Sequence, residues 1–174
     1  FEENEQLKGL NITIPYKQSV FQYLSALDKS AERVGAVNVV KKLADGTLVG
    51  YNSDYYGFQR SFLEFTAHVE VINKKALILG FGGAAKAIVA ALEDLGYEIQ
   101  IVSRKKSENT IDYKQSNELI ASYSIIINCS PVGTYPNVDQ CPDIDYAKLS
   151  SKHFLYDLVY NPQETLFLKK GKEQ

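Results

Sequence analysis

The stretch KALILGFGGAAKA, residues 75–87, joins an apolar segment, a glycine-rich turn and an alanine-rich segment without interruption. Residues 76–79 are all apolar, which is typical of a strand buried on both faces of a parallel sheet. After the turn, apolar residues repeat at helical spacing up to Gly96, a residue suited to a left-handed helix cap. Residues 98–102 are predicted as the next strand. This order predicts a right-handed crossover unit of an α/β fold with a parallel sheet.

The residues that follow extend the same alternation towards the C-terminus. Residues 125–129 and 154–158 are mostly apolar and are predicted as further strands. Residues 116–122 and 164–170 are predicted as helices between and after those strands. The second part of the chain is therefore expected to form one sheet covered by helices.

The first part of the chain has a different pattern, in which short β-rich segments alternate with helical spacing. Residues 10–14 alternate between apolar and polar and are predicted as a strand, which ends at Pro15 because proline cannot donate to a ladder. A helix is expected next, because apolar residues recur at steps of three and four on one face, at Phe21, Leu24, Leu27 and Ala31.

A β-hairpin is predicted from residues 37–41 and 47–51, which flank the turn sequence Asp45-Gly46. A second helix is expected to start near Asp54, whose carboxylate suits an N-cap. Residues 66–73 carry little periodicity, so we place the boundary between two α/β domains there.

Composition excludes several classes of protein and of partner. Hydrophobic residues make up 45% of the 174 residues and charged residues 23%, which is ordinary for a folded globular protein and unlike a disordered or coiled-coil chain. The net charge is −2 and no long basic run occurs, so nucleic acid is not an expected partner. The apolar runs are far shorter than the roughly 20 residues that span a bilayer, so no membrane segment is expected.

The cysteines and histidines do not point to a metal or a disulfide. Cys129 and Cys141 form neither a CxxC pair nor a disulfide framework, and the two histidines are too far apart in sequence to form a metal cluster. A reducing cytoplasm is the expected compartment.

The glycine turn indicates a nucleotide. Gly80-x-Gly82-x-x-Ala85 follows an apolar strand and opens a helix, which is the context that a Rossmann dinucleotide fingerprint requires. The first glycine permits the tight turn, the second lets the backbone approach a pyrophosphate, and the small third residue allows close packing of helix on strand. A glycine-rich turn without a ligand remains the alternative.

The residues after the next strand bear on which dinucleotide is bound. NAD-binding domains usually place an acidic residue there, against the ribose 2′-hydroxyl. This sequence has Ser103, Arg104, Lys105 and Lys106 instead. A guanidinium can bind a 2′-phosphate through two parallel hydrogen bonds, so NADP is favoured over NAD. A solvated basic loop is the alternative.

Polar residues in the first part of the chain occur at strand ends and turns, where binding groups are often displayed. Asn11 and Thr13 are expected on one face of their strand, with Lys17 starting the next helix close to that face. Asn38 lies at the start of the first predicted strand of the hairpin, and Asp54 follows the second. Surface solvation alone would explain Lys17, and capping alone would explain Asp54.

These motifs together resemble the shikimate dehydrogenase family. The resemblance runs through nearly the whole chain, in residues 11–17 (NITIPYK), 35–38 (GAVN), 50–57 (GYNSDYYG), 80–84 (GFGGA), 128–133 (NCSPVG) and 156–162 (YDLVYNP). It implies NADP-linked interconversion of 3-dehydroshikimate and shikimate in aromatic amino acid (chorismate) biosynthesis. It also implies a substrate-binding and catalytic domain at residues 1–68 and a Rossmann NADP-binding domain at residues 69–174, with the substrate in the cleft between them.

The resemblance also implies roles for individual residues. Lys17 and Asp54 match the catalytic pair of the family. Substrate ligands are implied at Asn11, Thr13, Asn38 and Tyr160. Cofactor contacts are implied at Gly80, Gly82, Gly83, Ala84, Ser103, Arg104, Lys105, Ser130, Val132 and Leu158.

The sequence departs from the family at both ends. The family's first strand, with its paired-serine motif, and its last helices, with a substrate-facing glutamine, have no counterpart here, so we expect a partial chain. Two alternatives are kept: a quinate/shikimate dehydrogenase that uses NAD, and a non-catalytic dinucleotide-sensing domain. The expected assembly is a monomer or a homodimer.

Overall fold

The computed structural model describes residues 4, 6–13, 15–105 and 107–174, and in them the chain forms a four-stranded and a five-stranded sheet. The strands are β1 (Gly9–Asn11), β2 (Ala26–Leu27), β3 (Val39–Lys42), β4 (Leu48–Tyr51), β5 (Lys75–Leu79), β6 (Glu98–Val102), β7 (Thr110–Ile111), β8 (Ile125–Asn128) and β9 (Phe154–Asp157). The α-helices are α1 (Lys29–Val34), α2 (Ser53–Thr66), α3 (Gly83–Asp94), α4 (Tyr113–Leu119) and α5 (Leu166–Lys172). Short 3₁₀ helices cover Ser19–Tyr23, Ile120–Ser122 and Tyr146–Lys148.

The five-stranded sheet has the order β7-β6-β5-β8-β9, and all its strand pairs are parallel. Its central strand alternates between two cores, as the period of two in a strand requires. Ala76 and Ile78 face the core formed with α2 and α3, whereas Leu77 and Leu79 face the core that contains Phe167 of α5. The predicted parallel α/β sheet is confirmed.

Helix α3 follows β5 through the glycine turn and ends where the sequence predicts. Gly96 has a φ of 80°, the left-handed conformation expected of a glycine just beyond a helix. The two later helices are displaced from their predicted positions by two or three residues at each end. The two-residue strand β7 was not predicted, because so short a strand has no detectable periodicity.

The four-stranded sheet has the order β1-β3-β4-β2, in which β2 alone runs parallel to its neighbour. The predicted hairpin is confirmed as β3 and β4, with Gly46 at a φ of 88° in the turn between them. Strand β1 is shorter than predicted and ends at Asn11, and Ile14 lies outside the described residues.

The prediction of one helix with Phe21, Leu24, Leu27 and Ala31 on a single face is wrong. Phe21 lies in a 3₁₀ helix and Leu24 is the C-cap that follows it, whereas Leu27 lies in β2 and Ala31 in α1. Leu27 pairs with Gly50 of β4, and the Asp28 side chain then caps α1 by accepting from the Ser30 backbone N–H at 2.9 Å. Pairing with a distant strand therefore overrides the local helical spacing.

The prediction of Asp54 as an N-cap is also wrong. The N-cap of α2 is Asn52, whose side-chain oxygen accepts from the Tyr55 backbone N–H at 3.1 Å. Asp54 lies in the first turn of the helix instead. Its carboxylate is consequently available for a different partner.

Helix α2 links the two sheets. It ends at Thr66, and β5 begins at Lys75, so the segment of low periodicity is a connection between elements. Phe58 and Phe62 of α2 are buried in the core that covers one face of the five-stranded sheet. Among the described residues no helix is long and apolar enough to cross a membrane.

Candidate functional site

Lys17 and Asp54 form an ion pair where the first part of the chain meets α2. Lys17 Nζ lies 2.7 Å from Asp54 Oδ2, and the two side chains are 16% and 38% exposed. The backbone of Lys17 is anchored because its carbonyl accepts from the Val37 N–H at 2.8 Å. A fixed, partly shielded ammonium therefore stands beside a carboxylate, as the sequence predicts for the pair.

Two asparagine side chains hold the start of α2. Asn52 is buried and donates to the Ala36 carbonyl at 2.9 Å in addition to capping the helix. Asn38 accepts from the Ser53 backbone N–H at 2.8 Å and donates to the Ser53 hydroxyl at 3.0 Å. These bonds fix the backbone directly before Asp54, and so help to set where its carboxylate points.

A cleft of about 490 Å³ adjoins the ion pair. It is lined by Lys17, Ser53, Asp54, Gly57, Phe58, Ala84, Ile88, Tyr156 and Leu158. A neighbouring cavity of about 290 Å³ is lined by Pro15, Lys17, Gln18, Ala36, Phe81, Gly82, Gly83 and Lys86. Because Lys17 lines both, its ammonium lies between the wall formed by α2 and the glycine turn before α3.

The glycine turn has the shape that a pyrophosphate requires. Gly80 has a φ of 99°, and a Cβ there would stand 3.1 Å from the backbone nitrogen of Ser130. A Cβ at Gly82 or Gly83 would meet nothing within 4 Å, so an open space lies against the backbone. No side chain caps the N-terminus of α3, in the part of the chain that the structure describes. Free N–H groups at a helix N-terminus beside an open space fit the phosphates of a dinucleotide.

The loop after β8 lies against the glycine turn, where Ser130 comes close to Gly80. Ser130 donates from its hydroxyl to Asn128 Oδ1 at 2.6 Å, and the same hydroxyl accepts from the Val132 N–H at 3.3 Å. Burial raises the pKa of the Asp157 carboxyl, which lies at the end of β9 next to this loop. Burial also raises the pKa of the thiol of Cys129, a half-buried residue that packs against the core around Ile78 and Ile127.

In the basic segment after β6, the side chains of Arg104 and Lys105 are exposed. The Lys105 backbone N–H donates to the Ser103 hydroxyl at 3.1 Å, which forms a turn that displays Arg104. No carboxylate pairs with Arg104 or Lys105 among the residues that the structure describes. Lys106 lies outside the described residues. Two unpaired cations at this strand end suit a phosphate group.

The four residues with implied substrate roles do not line the cleft. Asn38 is joined to it only through its hydrogen bonds with Ser53. Asn11 and Thr13 are exposed and are not among the residues that line the cleft. Tyr160 is 90% exposed and is also absent from the lining. Their roles therefore stay predictions that rest on the resemblance alone.

Tyr156 of the cleft and Lys86 of the smaller cavity are not among the site residues that the sequence predicts. Tyr156 lines the cleft and its hydroxyl lies 2.8 Å from the Ser61 hydroxyl of α2. Lys86, in the first turns of α3, lines the smaller cavity with Lys17. The sequence holds one signal for Lys86, because it lies three residues after Gly83 in a helix that starts at the turn. Residues three apart in a helix are neighbours on its surface.

Comparison with known proteins gives consistent matches. A family model described as the shikimate dehydrogenase substrate binding domain matches residues 1–40. A shikimate dehydrogenase (NADP(+)) from Clostridium beijerinckii is 40% identical over 177 residues, which cover 96% of this chain and 63% of the relative. Another from Clostridium botulinum is 38% identical over 96% of this chain and 67% of the relative.

Solved structures share the fold. A quinate dehydrogenase from Corynebacterium glutamicum, in complex with NAD, superposes with a TM-score of 0.85 at 28% identity, over 97% of this chain and 64% of that chain. The chain spans 63% to 64% of the length of the first three curated relatives that it matches.

Proposed function

We propose that this chain, which belongs to the shikimate dehydrogenase family, carries the catalytic pair and the nucleotide site for the reversible NADPH-dependent reduction of 3-dehydroshikimate to shikimate. The observation that carries the proposal is the Lys17–Asp54 pair, 2.7 Å apart, with Lys17 also lining the cavity at the glycine turn. An ammonium beside an open nucleotide cradle suits reduction of a carbonyl group.

NADPH, when bound, supplies the hydride that reduces the ketone. The Lys17 ammonium stabilises the negative charge that develops on the carbonyl oxygen, and this interaction is stronger in the transition state than in the ground state. The same group holds a proton for the new hydroxyl. Asp54 orients the ammonium through its 2.7 Å contact, and the proton that they share belongs to the pair.

The chain's own residues provide the nucleotide site. Gly80 permits the turn, while Gly82 and Gly83 leave the backbone open to the pyrophosphate. Arg104, with Ser103 and Lys105, would bind the 2′-phosphate. The nicotinamide end would lie among residues of the cleft and the loop after β8, namely Ala84, Ser130, Val132 and Leu158.

Substrate hydroxyls and carboxylate are assigned to polar groups around the ion pair. Asn38 is held by Ser53, which lines the cleft beside Asp54. Asn11, Thr13 and Tyr160 are proposed as further ligands because of the family resemblance. We propose residues 1–68 as the substrate part, residues 69–174 as the nucleotide part, and a monomer or homodimer in the cytoplasm, in the pathway to aromatic amino acids.

A quinate dehydrogenase that uses NAD is the second candidate, supported by the structural match to such an enzyme. The free basic side chain of Arg104 favours NADP instead, because an acidic residue is usual there in NAD-binding domains. A non-catalytic dinucleotide-sensing domain would have no use for the Lys17–Asp54 pair.

The test is a spectrophotometric assay of the full-length protein with shikimate or quinate, each with NADP⁺ or NAD⁺. We expect shikimate with NADP⁺ to give the highest kcat/KM by about tenfold or more, the scale of one charge-assisted contact. A higher value for quinate with NAD⁺ would favour the second candidate. Absence of turnover with all four pairs, from protein that binds NADP⁺, would favour the sensing domain.

A further inference from the structure

The Asp157 carboxylate, at the end of β9, accepts hydrogen bonds from three directions. Oδ1 accepts from Asn128 Nδ2 and from the Val159 backbone N–H, each at 2.9 Å. Oδ2 accepts from the Thr165 hydroxyl at 2.6 Å. No cation pairs with this carboxylate among the described residues, so neutral donors alone satisfy it.

Asn128 connects the Asp157 carboxylate to the loop after β8 through its own hydrogen bonds. Its Oδ1 accepts from both the backbone N–H and the hydroxyl of Ser130, at 3.1 Å and 2.6 Å, so its amide has only one orientation that satisfies every partner. Its Nδ2 is therefore directed at Asp157 and at the Val132 carbonyl, the latter at 3.2 Å. Asn128 is fully buried, and an unmatched donor there would be costly.

The same carboxylate fixes two other segments. The Val159 N–H closes a turn on Asp157 and so sets the path of the chain from Leu158 to Tyr160. Thr165 is fully buried and caps α5, whose Leu168 N–H reaches its hydroxyl at 3.4 Å. Asp157 thus connects two loops of the proposed nucleotide site with the start of a helix packed under the sheet.

We propose that Asp157 is a positioning residue for the nicotinamide nucleotide. Through Asn128 and Val159 it holds the Ser130–Val132 loop and the Leu158 loop in their binding positions before the nucleotide arrives. The inference rests on the proposed function, because these two loops carry the residues assigned to the nicotinamide end. Loops that are ordered in advance spare the nucleotide the cost of ordering them.

Two substitutions of Asp157 separate the effect of its hydrogen bonds from the effect of its negative charge. Asp157→Ala removes both acceptor oxygens and with them all three hydrogen bonds. We expect the KM for NADP⁺ to rise about tenfold, with a smaller change in the KM for shikimate. Asp157→Asn keeps Oδ1 for Asn128 and Val159, while its amide can donate to the Thr165 hydroxyl. We expect this conservative variant to restore the KM for NADP⁺ to within about threefold of the wild-type value.

Asp112→Ala is the matched control. Asp112 caps α4 by accepting from the Gln115 N–H at 2.8 Å, away from both loops. Its loss should cost about 1 kcal/mol of stability and leave the KM for NADP⁺ unchanged. If Asp157→Ala changes stability alone, as this control does, or if Asp157→Asn is as impaired as Asp157→Ala, the positioning role is wrong.

Hydrogen exchange provides a readout that needs no turnover. In the nucleotide-free protein the Ser130 and Val159 amides should already be protected, and Thr165→Val should weaken the protection of Val159 by loosening the carboxylate. Rapid exchange of both amides in the free wild-type protein would overturn the proposal, even if Asp157→Ala fails to fold. If both amides are protected but the protein turns over no substrate, the proposed function is wrong. The claim that Asp157 orders the two loops in advance would still hold.

Discussion

The two sheets support function in different ways. In the four-stranded sheet β1 is exposed along its whole length, and the buried core there is small, consisting of Ala31, Val37 and Val40. In the five-stranded sheet every residue of β8 is buried, between two large cores. Beside the first sheet, the functional groups are side chains held by hydrogen bonds between residues distant in sequence, such as Lys17 and Asp54. The second sheet presents backbone groups held by its core. A single substitution should therefore abolish chemistry in the first and weaken affinity by degrees in the second.

Loss of the Lys17 ammonium should have the largest effect. We expect Lys17→Ala to lower kcat by about 100-fold or more, the scale of a lost general acid. The KM for NADP⁺ should change much less, since the nucleotide is held by the other sheet. Steady-state kinetics with each substrate varied in turn measures both effects.

Lys41→Ala is the control for that variant, because Lys41 is an exposed lysine on β3 of the same sheet. It should leave kcat unchanged. Near-normal turnover of Lys17→Ala would remove Lys17 from the mechanism, and with it the contrast between the two sheets.

Substitution of Arg104 tests a contact beside the second sheet that depends on a side chain, the proposed contact with the 2′-phosphate. Arg104→Ala should weaken binding of NADPH about tenfold or more, the scale of a charge-assisted hydrogen bond to phosphate, and should leave NADH almost unaffected. Titration of the nucleotide fluorescence measures both affinities. Equal losses for the two nucleotides would show that the turn at Ser103 had been disturbed instead.

Substitutions at two glycines of the turn should affect nucleotide binding and protein stability differently. Gly82 has a φ of −99° and open space at its Cβ position, so Gly82→Ala should keep the free energy of unfolding within about 0.5 kcal/mol. The added methyl occupies the space of the pyrophosphate, so NADP⁺ affinity should fall about tenfold. Isothermal titration together with urea unfolding measures both.

Gly80→Ala should behave in the opposite way. The φ of 99° and the 3.1 Å approach to Ser130 make a side chain unfavourable there, so stability should fall by about 1 kcal/mol or more. If Gly80→Ala is as stable as the wild type, the account of the turn is wrong.

The sequence predicts the second sheet better than the first, for a physical reason. The turn at Gly80 and the apolar strand before it are local signals, because neighbouring residues carry both the spacing and the special backbone conformation. Leu27, by contrast, has a spacing that suits a helix, and only its pairing with Gly50 makes it a strand residue. Contacts between residues far apart in sequence leave no local pattern.

The candidate site shows the same limit. The family motifs identify Lys17 and Asp54 as partners, but local spacing does not predict their 2.7 Å contact across 37 positions of the chain. The sequence predicts Asp54 as the N-cap, whereas Asn52 occupies that position, because Asp and Asn both favour it. The bond from Asn128 to Asp157 joins two adjacent strands, and their order in the sheet had to be known before it could be expected.

Substitution in the ion-pair cluster between α1, α2 and α3 should have the smallest effect. Arg33 of α1 reaches Asp94 at 2.9 Å and Glu93 at 2.8 Å on α3, and the Tyr55 hydroxyl donates to Asp94 at 2.6 Å. The Arg33 guanidinium and then the Tyr55 hydroxyl lower the pKa of the Asp94 carboxyl. A lowered pKa in the folded state stabilises the protein fully above the unfolded-state value of about 3.9, and this stability is lost as the pH falls through the lower folded-state pKa.

Asp94→Asn should therefore cost about 0.5 to 1 kcal/mol at pH 7, because the ion pair is more than one-third exposed and largely screened. The difference in the free energy of unfolding between the variant and the wild type should shrink as the pH is lowered below about 4. The kcat of the variant should equal that of the wild type at each pH. Urea unfolding across this pH range measures the free energy of unfolding, with Glu64→Gln as the control, since Glu64 pairs with Arg60 inside α2 and joins no second element. A large loss of kcat in Asp94→Asn would mean that this ion-pair cluster sets the distance between Lys17 and the glycine turn, and the two regions would then have to be treated as one functional unit.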